Sequence, residues 1–261
     1  MRVNAPTFDP EGPVVVFAGP SLPPAVRPSD ARLLWRPPAA AGDAYALAAE
    51  ALAGVVLIDG LFDEVPAIRH KELLSVISPG VPVYGAASMG ALRAAELHSL
   101  GMIGVGRIFA AFRSRRLDAD DEVALVHGPA SFDWAPLTEP LVNVRATLLR
   151  AVRNVVVDCQ AARAVLNEAK ATFYKHRTWP ALLSSDAVAR SFGADSIERF
   201  KAWLPAGYVD LKRMDAFACL EVALRGRSRA GALRPPPPDT VFSGVLADQV
   251  YDGLRPEAGC F

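Results

Sequence analysis

Short apolar runs alternate with helix-forming stretches along the first hundred residues. Each run is continuous and rich in β-branched residues, which is typical of strands buried on both faces. These runs lie at residues 14–18, 55–59 and 81–86. Stretches rich in Ala, Leu and Glu predict helices at residues 44–53, 64–77 and 88–99. This alternation predicts an α/β fold with a mostly parallel central sheet flanked by helices.

The pattern changes beyond residue 155, where apolar and aromatic residues recur at helical spacing up to residue 226. A run of four prolines, Pro235–Pro238, then favours an extended spacer. We therefore predict three regions. They are an α/β core domain at 12–155, a helical extension packed on it at 156–226, and a Pro-rich spacer and tail at 227–261.

Charge and hydropathy exclude several classes of function. The chain has 28 Lys and Arg against 28 Asp and Glu, so no global basic field attracts nucleic acid or an anionic membrane. The apolar runs are too short to span a bilayer, and no apolar segment directly follows Arg2, so we expect a soluble cytoplasmic protein. The three cysteines lack metal-ligand spacing and no nucleotide fingerprint is present, so we predict neither a metal nor a cofactor.

One serine lies where a predicted strand turns into a helix. Ala86 and Gly90 stand two residues before and after Ser88, the spacing of a nucleophile elbow, although Ala86 replaces the first Gly of G-x-S-x-G. In such a turn the backbone N–H groups of Met89 and Gly90 would lie at the positive end of the helix and stabilise an oxyanion. The same position also suits a helix N-cap, in which the hydroxyl only bonds to the first helical turn.

A serine nucleophile needs a base, and the helix before the Ser88 strand supplies candidates in His70 and Lys71. A free lysine, with a pKa near 10.4, is protonated at neutral pH, so burial or nearby cations must lower that pKa before the amine accepts a proton. A helical wheel of residues 65–77 places Lys71 opposite the apolar arc, which favours a solvated surface lysine.

Four further residues surround these candidates and make up a predicted supporting shell together with His70. Asp59 follows a buried strand and is a possible orienting acid, and Glu72 neighbours Lys71. Arg93 and Glu96 have i, i+3 spacing on the Ser88 helix. They form either a structural ion pair or a support for Lys71, and the sequence does not separate these roles.

Several blocks of the sequence resemble TfuA-like proteins in order and spacing. The blocks are Ile58–Phe62, Val65–Pro66, His70–Leu74, Gly85–Ala94, Gly101–Gly106, Asp120–Ala124 and Val142–Thr147. The resemblance covers roughly residues 14–155 and is looser beyond them.

The resemblance implies a hydrolase with an α/β fold outside the common superfolds. It would work beside a YcaO-family enzyme, which converts peptide backbone amides into thioamides. TfuA-like proteins are understood to hydrolyse the C-terminal thiocarboxylate of a ThiS-like sulfur-carrier protein and so release sulfide. Carried over to this chain, the implied catalytic pair is Ser88 and Lys71. Attack by Ser88 on the thiocarboxylate would form an oxyanion beside the N–H groups of Met89 and Gly90, with Gly60 or Leu61 as a further donor. The implied partners are the YcaO enzyme, the carrier and the precursor peptide that is modified.

Two other classes of function compete with this interpretation. A non-catalytic adaptor that docks the sulfur carrier or the peptide onto the YcaO enzyme would suit the helical half and the Pro-rich spacer. A small-molecule esterase would use the same serine.

Overall fold

A five-stranded parallel sheet organises the first part of the chain. The computed structural model describes residues 5–63 and 65–227. Its strands are β1 Thr7–Phe8, β2 Val14–Phe17, β3 Leu33–Arg36, β4 Ala51–Leu52, β5 Gly54–Leu57, β6 Val83–Gly85 and β7 Ile103–Gly104. Its α-helices are α1 His70–Ile77, α2 Met89–Leu97, α3 Gly106–Arg113, α4 Leu141–Arg153, α5 Cys159–Ala171, α6 Trp179–Leu183, α7 Asp186–Ala189, α8 Ala194–Gly207 and α9 Leu211–Arg227.

The strand order of the sheet is β3-β2-β5-β6-β7, and every neighbouring pair is parallel. The predicted strands β2, β5 and β6 are confirmed as parallel neighbours, with Val15 opposite Val55 and Val55 opposite Val83. β3 lies on one side of β2, and the later strands β5, β6 and β7 follow one another on its other side. This is the order of a doubly wound sheet, and the predicted α/β fold is confirmed.

Side chains on the two faces of the sheet meet different helices. Tyr84 packs with Ala216 and Leu220 of α9 in one core cluster that also contains β2 and β5 side chains. The next residue along β6, Gly85, points to the other face, where an added Cβ would lie 2.9 Å from the Ala94 Cβ of α2. The sheet is therefore covered by α9 on one face and by α2 on the other.

The helix predicted at residues 44–53 is wrong. This segment contains a 3-10 turn at Tyr45–Leu47 and then β4, which pairs in parallel with β1. Ala49 has a φ of 76°, a left-handed conformation that ends any helical turn. The high helix propensity of the alanines is overridden because pairing with β1 satisfies the backbone instead.

The helix predicted at residues 64–77 is confirmed only from His70 onward. Residues 65–69 are not helical, and the Pro66 carbonyl accepts a hydrogen bond from the Ala41 N–H at 2.9 Å. Ala67 forms an antiparallel bridge with Ala40. The helix predicted at 88–99 is confirmed as α2, followed by a 3-10 turn at His98–Leu100.

The described residues form two compact units. The first contains residues up to 120 together with 127–135 and 211–227, and the second contains 121–126 and 136–210. These units differ from the predicted division after residue 155, because α9 packs on α3 and the sheet of the first unit. The predicted spacer and tail lie outside the described residues from residue 228 onward.

The second unit has its own core, built by α4 to α8 around Phe200, Trp179 and Leu148. Its buried charges are paired. Arg145 donates to both carboxylate oxygens of Glu122, at 2.6 and 2.9 Å, and Arg177 donates to Asp121 at 2.7 Å. In the part of the chain that the structure describes, no helix is both long and apolar enough to cross a membrane, and the cytoplasmic location stays a prediction.

A buried carboxylate at the start of α3 generates a prediction about stability. Asp215 of α9 is 4% exposed and accepts a hydrogen bond from the Ile108 N–H at 2.8 Å. Burial raises the pKa of the Asp215 carboxyl to about 6, although N–H bonds from Ile108 and Arg107 and the charge of Arg107 oppose the shift. The unfolded chain releases this proton near pH 4, so folding is disfavoured progressively as pH rises from about 4 to 6.

We expect Asp215→Asn to remove this penalty. The wild type loses stability as pH rises from 4 to 7, whereas the variant does not. The difference in unfolding free energy, variant minus wild type, should therefore grow by about 3 kcal/mol over this range. Urea unfolding of both proteins across this range measures the difference. A difference that does not change with pH would contradict the assignment.

Candidate functional site

Asp59 closes the crevice between β2 and β5, at the carboxyl ends of the strands. Its side chain is 2% exposed. One carboxylate oxygen accepts the N–H groups of Gly19 and Ser21, at 2.8 and 3.0 Å, and the other accepts the Ser21 hydroxyl at 2.7 Å. Sheets with this strand order bind ligands where the order reverses. Here the backbone donors at that point are occupied by the chain's own carboxylate, so Asp59 positions the loop after β2.

The Ser88 turn lies beside this crevice, between the end of β6 and the start of α2. The Ala86 N–H donates to the Leu57 carbonyl, and the Gly90 N–H donates to the Ile58 carbonyl, both at 3.2 Å. A Cβ on Gly90 would collide with the Leu57 carbonyl oxygen. Only glycine therefore lets α2 approach the end of β5 this closely.

Ala87, the residue before the serine, has a strained backbone. Its φ is 65°, and the Ser88 N–H donates to the Ala86 carbonyl at 2.8 Å, which closes a three-residue turn around it. This is the positive-φ γ-turn, a rare conformation for a residue with a Cβ. Sequence reasoning missed Ala87, because alanine carries no signal for a left-handed conformation.

The Ser88 hydroxyl is not used as a helix cap. Ser88 stands at the N-cap position with φ −121° and ψ −123°, and its side chain makes no capping bond. The N–H groups that a cap would satisfy are taken, since Gly90 donates to Ile58 and Ala91 donates to the Ser88 carbonyl at 2.9 Å. Ser88 is 7% exposed, and within residues 5–63 and 65–227 its hydroxyl has no hydrogen-bond partner.

The predicted oxyanion donors differ in availability. The Gly90 N–H is bonded to the Ile58 carbonyl and is not free in this conformation. The N–H groups of Met89 and Gly60 have no acceptor among the described residues. The two residues are neighbours, because an added Cβ on Gly60 would lie 2.8 Å from the Met89 Cγ. Among the described residues, two N–H groups without an acceptor therefore belong to Met89, which follows the serine, and to Gly60, which lies against the Met89 side chain.

Lys71 lies on the outer side of α1. The buried side of this helix carries Glu72, Leu73 and Val76, each at most 1% exposed, whereas Lys71 is exposed. This agrees with the helical wheel. No hydrogen bond joins Lys71 to Ser88 among the described residues, and the pairing of the two side chains stays a prediction.

His70, Glu96 and Arg93 form an ion-pair network between α1 and α2. Glu96 accepts from His70 Nε2 and from Arg93, both at 2.7 Å, and Arg93 Nε donates to the Ile68 carbonyl at 3.1 Å. Glu96 is eight residues beyond Ser88, about 12 Å along the helix. The network thus joins the first turn of α1 to the third turn of α2, which favours the structural role.

Glu72 has a separate role in the supporting shell. Its buried carboxylate accepts the Gly42 N–H at 2.7 Å and the Arg69 N–H at 3.2 Å. The second bond is that of a capping box, with Arg69 in the position usually held by Ser or Thr. Glu72 therefore ties the loop after β3 to the start of α1.

Among the described residues, no group of three or more His, Cys, Asp or Glu side chains is arranged to hold a metal ion.

The fold and the turn define an α/β protein whose candidate site is a strained strand-to-helix turn with an unbonded serine. Residues 59–178 match the family model of TfuA-like proteins. This stretch begins at Asp59 and contains the Ser88 turn, and over it the chain is similar to TfuA-like proteins. A search of curated proteins found no match.

Replacing Asp59 tests its role in positioning the β2 loop. Asp59→Ala removes three buried hydrogen bonds, and we expect the free energy of unfolding to fall by about 3 kcal/mol. Asp59→Asn keeps one acceptor for the two N–H groups, and the Ser21 hydroxyl can accept from the new amide, so we expect a loss of only about 1 kcal/mol. Urea unfolding compares the two variants, and equal losses would contradict this geometry.

Proposed function

We propose that this TfuA-like protein hydrolyses the C-terminal thiocarboxylate of a ThiS-like sulfur-carrier protein. The released sulfide would serve a YcaO-family enzyme in backbone thioamidation of a precursor peptide. The observation that carries the proposal is the Ser88 hydroxyl, which stands on a strained turn and has no structural hydrogen bond among the described residues.

The arrangement suits nucleophilic attack on a carbonyl group. The Ser88 oxygen attacks the thiocarboxylate carbon and forms a tetrahedral oxyanion, which the Met89 and Gly60 N–H groups stabilise. When the intermediate collapses, the C–S bond breaks, sulfide leaves and an ester forms on Ser88. Water then cleaves this ester, which gives the carrier carboxylate and free Ser88. One water is consumed for each sulfide released.

Lys71 is the proposed base, on the family resemblance alone. For this role its amine has to lose a proton and reach Ser88, so the first turn of α1 has to move toward the start of α2. The His70–Glu96 pair opposes such a movement only weakly, because both side chains are nearly half exposed. We propose that the first turn of α1 makes this movement when the carrier binds.

Ser88→Ala tests the nucleophile. We expect the variant to release no sulfide from a thiocarboxylated carrier, because no oxygen remains to form the acyl intermediate. Its unfolding free energy should stay within about 1 kcal/mol of the wild type, since the hydroxyl makes no capping bond. Electrode detection of sulfide measures the reaction, and Ser99→Ala, on the exposed turn after α2, is the matched control.

The adaptor is the second candidate function. Phe62 and Val65 are exposed in the loop that follows Asp59 and would suit a protein contact. An adaptor would support thioamidation equally well with alanine at position 88. Wild-type support of thioamidation by Ser88→Ala, with no sulfide released from the carrier by either protein, would therefore favour the adaptor and overturn the proposed hydrolase.

Lys71→Arg tests the base. A guanidinium is not deprotonated in proteins, so we expect the variant to be nearly inactive in sulfide release although its charge is kept. Lys201→Arg on α8 is the matched control and should keep the wild-type rate. A fully active Lys71→Arg enzyme would exclude Lys71 as the base and leave the role of Ser88 unaffected.

A further inference from the structure

We propose that Ala87 is a positioning residue, whose strained backbone keeps the Ser88 hydroxyl free to react. This inference rests on the proposed function of Ser88. The evidence is the geometry of the turn, namely a φ of 65° at a residue with a Cβ and the 2.8 Å bond from the Ser88 N–H to the Ala86 carbonyl. The strain lies at the residue before the serine, whereas in a nucleophile elbow the serine itself occupies the strained turn.

The γ-turn changes which hydrogen bonds the polar groups at the start of α2 make. It directs the Ser88 N–H back to Ala86 and holds Ser88 at φ −121° and ψ −123°. In the usual start of a helix, a serine hydroxyl accepts an N–H from the first turn and is thereby tied down. Here Gly90 and Ala91 donate elsewhere, and the hydroxyl is left unbonded within the described residues.

Two hydrogen bonds hold the turn in this conformation. The Ala86 N–H binds the Leu57 carbonyl on one side of Ala87, and the Gly90 N–H binds the Ile58 carbonyl on the other. The acceptors are consecutive residues at the end of β5. Strained backbones persist only where the surroundings determine them in this way, and such residues cluster at functional sites.

The presence of alanine and not glycine at position 87 indicates that the turn does more than reverse the chain. Glycine adopts a positive φ without steric cost, so a turn needed only for chain reversal would be built more readily with glycine. The Ala87 side chain is fully buried, and its Cβ excludes most of the backbone conformations that glycine would sample. The methyl group thereby narrows the range of positions that Ser88 takes.

Ala87→Gly tests this role, with Ala49→Gly as the matched control. Ala49 also has a positive φ, 76°, but it lies on the exposed turn before β4. Both substitutions relieve the same kind of strain and should leave the fold intact. We expect kcat for sulfide release to fall about tenfold in Ala87→Gly with KM unchanged, because fewer molecules hold Ser88 in the reactive position. Ala49→Gly should keep the wild-type kcat.

A second readout does not need the carrier protein. The rate at which a fluorophosphonate probe labels Ser88 should fall by a similar factor in Ala87→Gly and stay unchanged in Ala49→Gly. Wild-type labelling and wild-type kcat in Ala87→Gly would overturn the role of Ala87 while leaving Ser88 as the nucleophile. Absence of sulfide release by the wild type, with a thiocarboxylated carrier supplied, would instead overturn the proposed function itself.

Discussion

The candidate site depends on three consecutive residues at the end of β5, Leu57, Ile58 and Asp59, which hold the neighbouring loops. The Leu57 and Ile58 carbonyls accept N–H groups from either side of the Ser88 turn, and the Asp59 carboxylate holds the loop after β2. The contact is possible only because Gly90 has no side chain to meet the Leu57 carbonyl. Backbone groups at the end of one central strand therefore hold the turn that carries the serine.

This arrangement explains why the Ser88 turn lies at the end of β6 and not at the usual ligand crevice of the sheet. The order of strands reverses between β2 and β5, where Asp59 already binds the free N–H groups of the β2 loop. The next crevice along the sheet contains the Ser88 turn, where the N–H groups of Met89 and of its neighbour Gly60 have no acceptor within residues 5–63 and 65–227. Backbone N–H groups without acceptors at the start of a helix can stabilise a negative charge that develops during a reaction.

The sequence predicted the elements with strong patterns and missed those set by distant partners. Continuous apolar runs identified β2, β5 and β6, and the small residues around Ser88 identified the turn. The Ala-rich segment at 44–53 was assigned to a helix because its pairing with β1 and the left-handed Ala49 have no local signal. The Gly90 N–H was predicted to be free, since the Ile58 carbonyl that binds it lies over thirty residues away in sequence. The wheel placed Lys71 correctly on the outer side of α1, and its pairing with Ser88 stays a prediction.

The central claim is that Ser88 forms a covalent acyl intermediate during sulfide release. Rapid mixing with a thiocarboxylated sulfur-carrier protein, followed by acid quenching and peptide mapping by mass spectrometry, tests it most directly. The account predicts an ester between the carrier C-terminus and Ser88, which forms as sulfide appears and decays as the carrier carboxylate accumulates. Sulfide release with no adduct on the Ser88 peptide, or with the adduct on another residue, would contradict it.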